Sequence, residues 1–263
     1  MKLILCWIGA LGCLLAALAL GSPVLAQSAN AVGPASLDAT QIVAQLMAKS
    51  QQRAALLGHW EGCRHYSLDY TGFPSSRSAE MVVEVKFDAP SKKQFRIVSE
   101  NGSRLLLKRV LQELLVNEKE ALGEENRIKT ALTPDNYEFR LADSDESSGR
   151  PQYVLEVTPR SRNKFLYKGK IWVDAADFAV TRISAEPAKN PSLWISHTAI
   201  EHRYSKIGDF WLPASNTSVT KVRLGGMAKL RIDYLNYRIG NSKTQATDVC
   251  SSAPREMQVS QAQ

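Results

Sequence analysis

Between Lys164 and Ile239, polar and apolar residues alternate with a period of two, interrupted only by residues that favour turns. From Lys164 to Val173, Phe165, Tyr167, Ile171 and Val173 fall on one side and Lys164, Lys168 and Lys170 on the other, with Leu166 and Trp172 breaking the polar side. That is the pattern of a sheet strand with one wet face. Further strands are predicted over Phe178 to Glu186, Trp194 to Tyr204, Phe210 to Arg223 and Met227 to Ile239, the last alternating Ala228, Leu230, Ile232 and Tyr234 with Lys229, Arg231 and Asp233. Between them lie Asp174 to Asp177, Pro187 to Pro191, Gly208-Asp209 and Gly225-Gly226. Prolines end a ladder, and paired glycines suit a tight hairpin. Long strands joined by short turns pair antiparallel, as a meander.

The same reading upstream predicts strands from Trp60 to Tyr70, Ala79 to Asp88, Lys93 to Ser99, Asn136 to Ala142 and Gln152 to Thr158, ten in all. Helical spacing appears twice. Asp38 can cap a helix with Gln41 at its third position, followed by Ile42, Val43, Leu46, Met47, Ala54 and Leu57. Leu107, Val110, Leu111, Leu114 and Leu115 form a broad stripe, Gly123 stands where a cap would, and a short helix is expected at Asn126 to Ala131. A face of that width must be covered, either as a fixed core helix or as a lid over an apolar hollow, and periodicity does not choose between the two. Asp143 to Arg150 reads as a solvated loop.

Several segments carry a family resemblance: Tyr167-Lys168-Gly169-Lys170-Ile171-Trp172-Val173-Asp174, Phe178 to Ile183, Glu186-Pro187-Ala188-Lys189-Asn190-Pro191 and Phe210-Trp211-Leu212-Pro213. They resemble the outer-membrane lipoprotein-sorting proteins of the LolA/LolB-like group. The likeness covers the C-terminal third and extends more loosely through Leu132 to Phe139. It implies a mainly β fold with helices (α+β), an incomplete antiparallel barrel of about ten to eleven strands wrapped around lid or plug helices. It implies a hollow for the acyl chains of a lipoprotein or lipid, lined by Phe165, Tyr167, Ile171, Val173, Leu230, Ile232 and Tyr234 and closed by the leucine stripe. An inner-membrane export complex and an outer-membrane acceptor would be the partners of a monomeric carrier. In such carriers an arginine ties a strand to the lid, and the sequence singles out none of its own for that role. Periplasmic stress regulators resembling RseB/MucB share the scaffold, but the second domain expected of them has no counterpart after Ile239.

Lys2, the apolar run Leu3 to Leu20 and Val24-Leu25-Ala26 read as a secretory signal over residues 1–26, with Gln27 starting the mature chain. Residues 27–36 then form a linker, 37–250 one domain and 251–263 a polar tail. Export makes a bond between Cys63 and Cys250 feasible, against the alternative of two separate thiols. It would hold the tail to the first strand. The formal charge of +7, or +6 once Lys2 is removed, favours anionic surfaces. Scattered among acids, those cations do not suggest nucleic acid.

Candidate chemistry is sparse. His59, His65, His197 and His202 lack the compact spacing of a metal site, and no serine elbow, phosphate loop or dinucleotide fingerprint appears. No cofactor is expected. The chain is therefore read as a periplasmic carrier or binder of acyl chains and not an enzyme. A secreted hydrolase is one rival. An outer-membrane barrel is the other, and it would need a continuously apolar outer side that these strands lack.

Overall fold

The computed structural model describes residues 37–145, 149–190, 195–223, 225–240 and 249–250. The expected signal, linker and polar tail lie outside these residues, as do Pro191 and Trp194. Within them the chain forms helix α1 (Ala39–Leu56), then strands β1 (His59–Gly72), β2 (Arg77–Asp88) and β3 (Lys92–Gly102). A helical segment follows: α2 (Arg104–Leu106), a π-helical stretch (Leu107–Leu111), α3 (Gln112–Ala121) and α4 (Glu124–Thr130). Seven strands complete the fold: β4 (Tyr137–Asp145), β5 (Gln152–Pro159), β6 (Tyr167–Asp174), β7 (Val180–Pro187), β8 (Ile195–Ile207), β9 (Phe210–Val222) and β10 (Gly226–Ile239).

All ten strands belong to one antiparallel sheet in the order β3-β2-β1-β10-β9-β8-β7-β6-β5-β4. The expected meander is present, and the sheet is open: β3 and β4 are its two edges. The helices α2 to α4 carry the chain from one edge strand to the other, so they cross the sheet. Asp38 caps α1 as expected, its carboxylate accepting from the Gln41 amide at 2.8 Å while the Gln41 side chain accepts from the Asp38 amide at 3.0 Å. The loop expected from Asp143 is shorter than the polarity suggested. β4 runs on to Asp145, whose carboxylate accepts from the Trp172 indole at 3.0 Å, because a neighbouring strand can satisfy a polar edge as well as water can.

One face of the sheet carries two separate cores. The leucine stripe packs on β1, β2 and β10, against Tyr66, Leu68, Met81, Val83, Leu230 and Ile232 among others. Helix α1 packs Ile42, Val43 and Leu46 on the other half, against Tyr137, Leu155, Val157, Tyr167, Ile171 and Ile183. Between them the same face turns polar. Asn216, Ser218 and Thr220 of β9 stand opposite Ile232, Leu230 and Ala228 of β10 on one side and opposite His202, Ile200 and Thr198 of β8 on the other. Side chains directly opposite share a face. Thr198 and Thr220 share a hydroxyl hydrogen bond of 3.1 Å, and the Asn216 amide nitrogen lies 3.0 Å from Nε2 of His202, whose imidazole burial pushes down to about 4.

Cys63 of β1 is bonded to Cys250, with Cα atoms 5.2 Å apart across 187 residues of sequence. Asn236 of β10 adds a hydrogen bond to the Val249 carbonyl at 2.9 Å, so residues 249–250 are fastened to the sheet at two points. In a chain-entropy account, closing so long a loop stabilises by roughly 4 to 5 kcal/mol.

Two outcomes are expected. Free-thiol counting in denaturant should find neither Cys63 nor Cys250 reactive before reduction, and reduction should lower the thermal midpoint. Gly169→Ala should also lower it, by several degrees for a cost of roughly 1–3 kcal/mol. A Cβ there would meet the Ser184 carbonyl oxygen at 2.2 Å and the Ala185 Cα at 2.6 Å, both backbone atoms of the adjacent strand.

Candidate functional site

The two cores leave a cavity of about 260 Å³ at the end of the sheet where β1, β3, β7 and β9 begin. One wall is the second half of α1, with Leu46, Met47, Ser50, Arg53 and Ala54. The end of α3 and α4 supply another, with Ala121, Leu122, Arg127 and Thr130. The sheet closes it through Trp60, Phe87, Tyr204, Leu212 and Tyr237. The lining is mostly aliphatic and aromatic, as suits a small-molecule site. Trp60 stacks on Phe87 at 5.8 Å between centroids and meets Tyr237 edge-on at 5.3 Å.

At the edge of this space lies a buried ion cluster. Glu118, on α3, accepts from both guanidinium nitrogens of Arg64 on β1, at 2.6 and 3.1 Å, and from Lys93 on β3 at 2.8 Å. Arg64 and Glu118 are 4% and 3% exposed. The Arg64 guanidinium also donates to the Tyr66 hydroxyl at 3.2 Å and lies over the Tyr234 ring at 4.9 Å, and Lys93 lies over Trp60 at 5.5 Å. Burial by itself would raise the Glu118 carboxyl, but the charges of Arg64 and Lys93 outweigh it and hold the group at about 2. Desolvation pulls Arg64 down, and the Glu118 charge reverses this and raises it well above its ordinary value. Helix α3 is thus tied to two strands by three charges that cannot separate without being rehydrated or left uncompensated.

The residues singled out from the sequence divide between the two cores. Leu107, Val110, Leu111, Leu114, Leu115, Leu230, Ile232 and Tyr234 come together in the core under the helical crossing. Tyr167, Ile171 and Val173 lie in the core under α1. Phe165 is buried beside neither cluster, with the Lys164 ammonium 4.6 Å from its ring. None of these twelve lines the cavity. Its wall comes instead from α1, where helical spacing picks out Leu46, Met47, Ala54 and Leu57 as a packing face, and from α4 and the strand ends, where residues are spaced too irregularly for a period-2 or 3.6 pattern to expose them.

Arg64 and Glu118 were also missed, although each leaves a trace. Arg64 has the same strand parity as Tyr66 and Leu68, and Glu118 falls four residues after Leu114, on the leucine stripe itself. A lone charge on each of two apolar faces is the signature of a buried pair. The histidines stay apart: His59 bonds Asp88 at 2.8 Å and His197 lies 3.6 Å from Glu186. Among the described residues no group of three or more His, Cys, Asp or Glu could hold a metal ion, and no helix is long and apolar enough to cross a membrane.

Because Glu118 is lowered from an ordinary value of 4.5 to about 2, its charge stabilises the fold fully above the higher value and is lost as pH falls through the lower. Glu118→Gln should cost about 3–5 kcal/mol near neutral pH by leaving Arg64 buried without its counter-charge. The gap between variant and wild type should narrow from pH 4.5 down to about 2, read from thermal midpoints across that window. A gap independent of pH would mean that Glu118 acts through packing alone.

Residues 131–237 match the model of a family of unknown function (DUF5686). No curated protein matches the chain. Among solved structures, the chain is similar to a domain named for outer membrane lipoprotein sorting from Vibrio parahaemolyticus, at 13% identity and a TM-score of 0.44, covering 81% of this chain and 96% of that one. It is similar to a DUF1329 family protein from Desulfovibrio piger at 14% identity and a TM-score of 0.41, over 78% and 94% of the two chains. A LolA superfamily protein from Nitrosomonas europaea matches at 13% identity and a TM-score of 0.34, over 79% and 96%.

Proposed function

We propose that this chain is an exported carrier or binder of acylated molecules that works by reversible burial of acyl chain, with no covalent step. The observation that carries this reading is the cavity of about 260 Å³ between the two cores, walled mainly by apolar side chains from two helical segments and the sheet. Each methylene moved from water into such a space contributes about 0.8 kcal/mol, so one chain suffices for useful affinity after ordering costs.

Larger cargo requires movement of the crossing helices. Lifting α2 to α4 would part Glu118 from Arg64 and Lys93 and uncover the stripe from Leu107 to Leu115 together with Leu230, Ile232 and Tyr234. Phe165, Tyr167, Ile171 and Val173 would become available on a shift of α1. The cost of parting a buried ion pair makes the closed form the resting one. In this reading residues 1–26 are removed on export to the periplasm, the mature chain starts at Gln27, and cargo passes from an inner-membrane donor to an outer-membrane acceptor. Members of the resembling group act in outer-membrane lipoprotein sorting, and an acylated lipoprotein is the cargo on that pattern.

Mass spectrometry of lipid extracted from the purified mature protein tests the reading: acylated molecules in stoichiometric amount are expected, and their absence, with no uptake of a fluorescent fatty acid after delipidation, would overturn it. The part played by the stripe is tested separately with Leu111→Ala, Leu114→Ala and the exposed control Lys108→Ala. Each leucine change should cost roughly 2–5 kcal/mol. If the stripe meets cargo, binding falls in the folded fraction as well; unchanged binding there assigns it to the core alone.

A further inference from the structure

The cavity wall is strongly one-sided in charge. Arg53 of α1, Arg64 of β1, Lys93 of β3 and Arg127 of α4 all line it, and no carboxylate does among the described residues. Glu118, set behind the wall, serves both Arg64 and Lys93, and the Asp177 charge acts on Arg53, so the four cations outnumber the two anions beside them. Arg53 donates to the backbone carbonyls of Asp177 and Phe178 at 2.8 and 2.9 Å. The Asp177 carboxylate itself is taken by Lys206 at 2.7 Å and by the Trp211 indole at 2.9 Å. Arg127 is half-buried, and its side chain makes no hydrogen bond or ion pair with any described residue. A guanidinium drawn partly out of water without an anion is costly, and one that meets a carboxylate or phosphate recovers the loss through two parallel hydrogen bonds.

Size adds a second constraint. A space of about 260 Å³ lies at the small end of ligand sites, which run from about 300 to 1,000 Å³, and so suits a single chain.

We propose that the closed protein takes a single-chain anionic amphiphile, its chain among Met47, Leu57, Trp60 and Leu212 and its carboxylate or phosphate head at Arg53 and Arg127. This rests on the acyl-burial reading and names the ligand class for it. Short chain and charged head are both required: the apolar wall gives the ion alone little reason to enter, and the unpaired guanidinium discriminates against an uncharged head.

The test is calorimetric titration of the delipidated mature chain at pH 8 with decanoate, decyl phosphate, decanol, acetate and inorganic phosphate. The two anionic amphiphiles should bind about tenfold or more tightly than decanol, as a charge-assisted hydrogen bond pair predicts. That preference should collapse in Arg127→Gln, recover in part in Arg127→Lys, and persist in Lys129→Gln, which removes an exposed charge from the same helix. Binding of decyl phosphate but not decanoate supports the proposal and fixes the head as phosphate; the converse fixes it as carboxylate. Equal affinity for decanol and the anions overturns the proposal and leaves acyl burial standing. Failure of all three amphiphiles to bind overturns both. Acetate or inorganic phosphate binding as tightly as its decyl counterpart would mean an ion site with no role for the chain, and would also overturn it.

Discussion

Glu118 is where the crossing helices are fastened to the sheet. An open antiparallel sheet has no covalent or ladder contact between its edge strands, and here the chain passes from one edge to the other through helices held on the sheet by side-chain contacts. Apolar contact alone is non-directional and would allow those helices to slide. The bidentate contact with Arg64 and the added bond from Lys93 set one position for α3 over β1 and β3. A buried ionic cluster of this kind is weak as a source of net stability and strong as a constraint, because any half-broken arrangement leaves a charge stranded in low dielectric. The aromatic rings of Tyr234 and Trp60 beneath Arg64 and Lys93 reinforce the same geometry.

From that constraint the cavity follows. With the leucine helix held over β1, β2 and β10, and α1 packed over β4 to β7, the apolar side chains of neither helix fill the space at the strand ends between them. Along the middle of the covered face the sheet supplies hydroxyls, an amide and an imidazole instead of aliphatic groups, so no third core joins the first two. The Asn216 side-chain oxygen is buried there without a hydrogen-bond partner among the described residues. The disulfide at Cys63 holds β1 from its other side, so the strand that carries Arg64 is fixed by a covalent bond next to the ion cluster.

Much of the fold was legible in the sequence. Period-2 alternation and turn residues located all ten strands, and the Asp38–Gln41 spacing marked the start of α1. The Cys63–Cys250 bond was readable from the expected export and from position. The crossing order β1 next to β10 was not, because pairing between the first and last strands leaves no local trace. The covered positions of β9 are Asn216, Ser218 and Thr220, a polar set that alternation alone does not assign to a face. The candidate site was the least visible part. Its walls are side chains from strand ends and helical segments brought together by tertiary packing, and of the twelve residues singled out from the sequence eleven lie in the filled cores beside it and Phe165 in neither.

The claim that acyl chain enters this particular space can be read directly from tryptophan quenching. Trp60 and Trp211 line the cavity, whereas Trp172 lies on the opposite side of the sheet, beneath Arg182 at 4.4 Å. In a chain starting at Gln27 and carrying Trp194→Phe, single-tryptophan variants keeping Trp60, Trp211 or Trp172 would be titrated with a fatty acid brominated along its chain. Saturable quenching of Trp60 and Trp211 with Trp172 unaffected is the predicted result; quenching of Trp172 alone, or of none of the three, would contradict it.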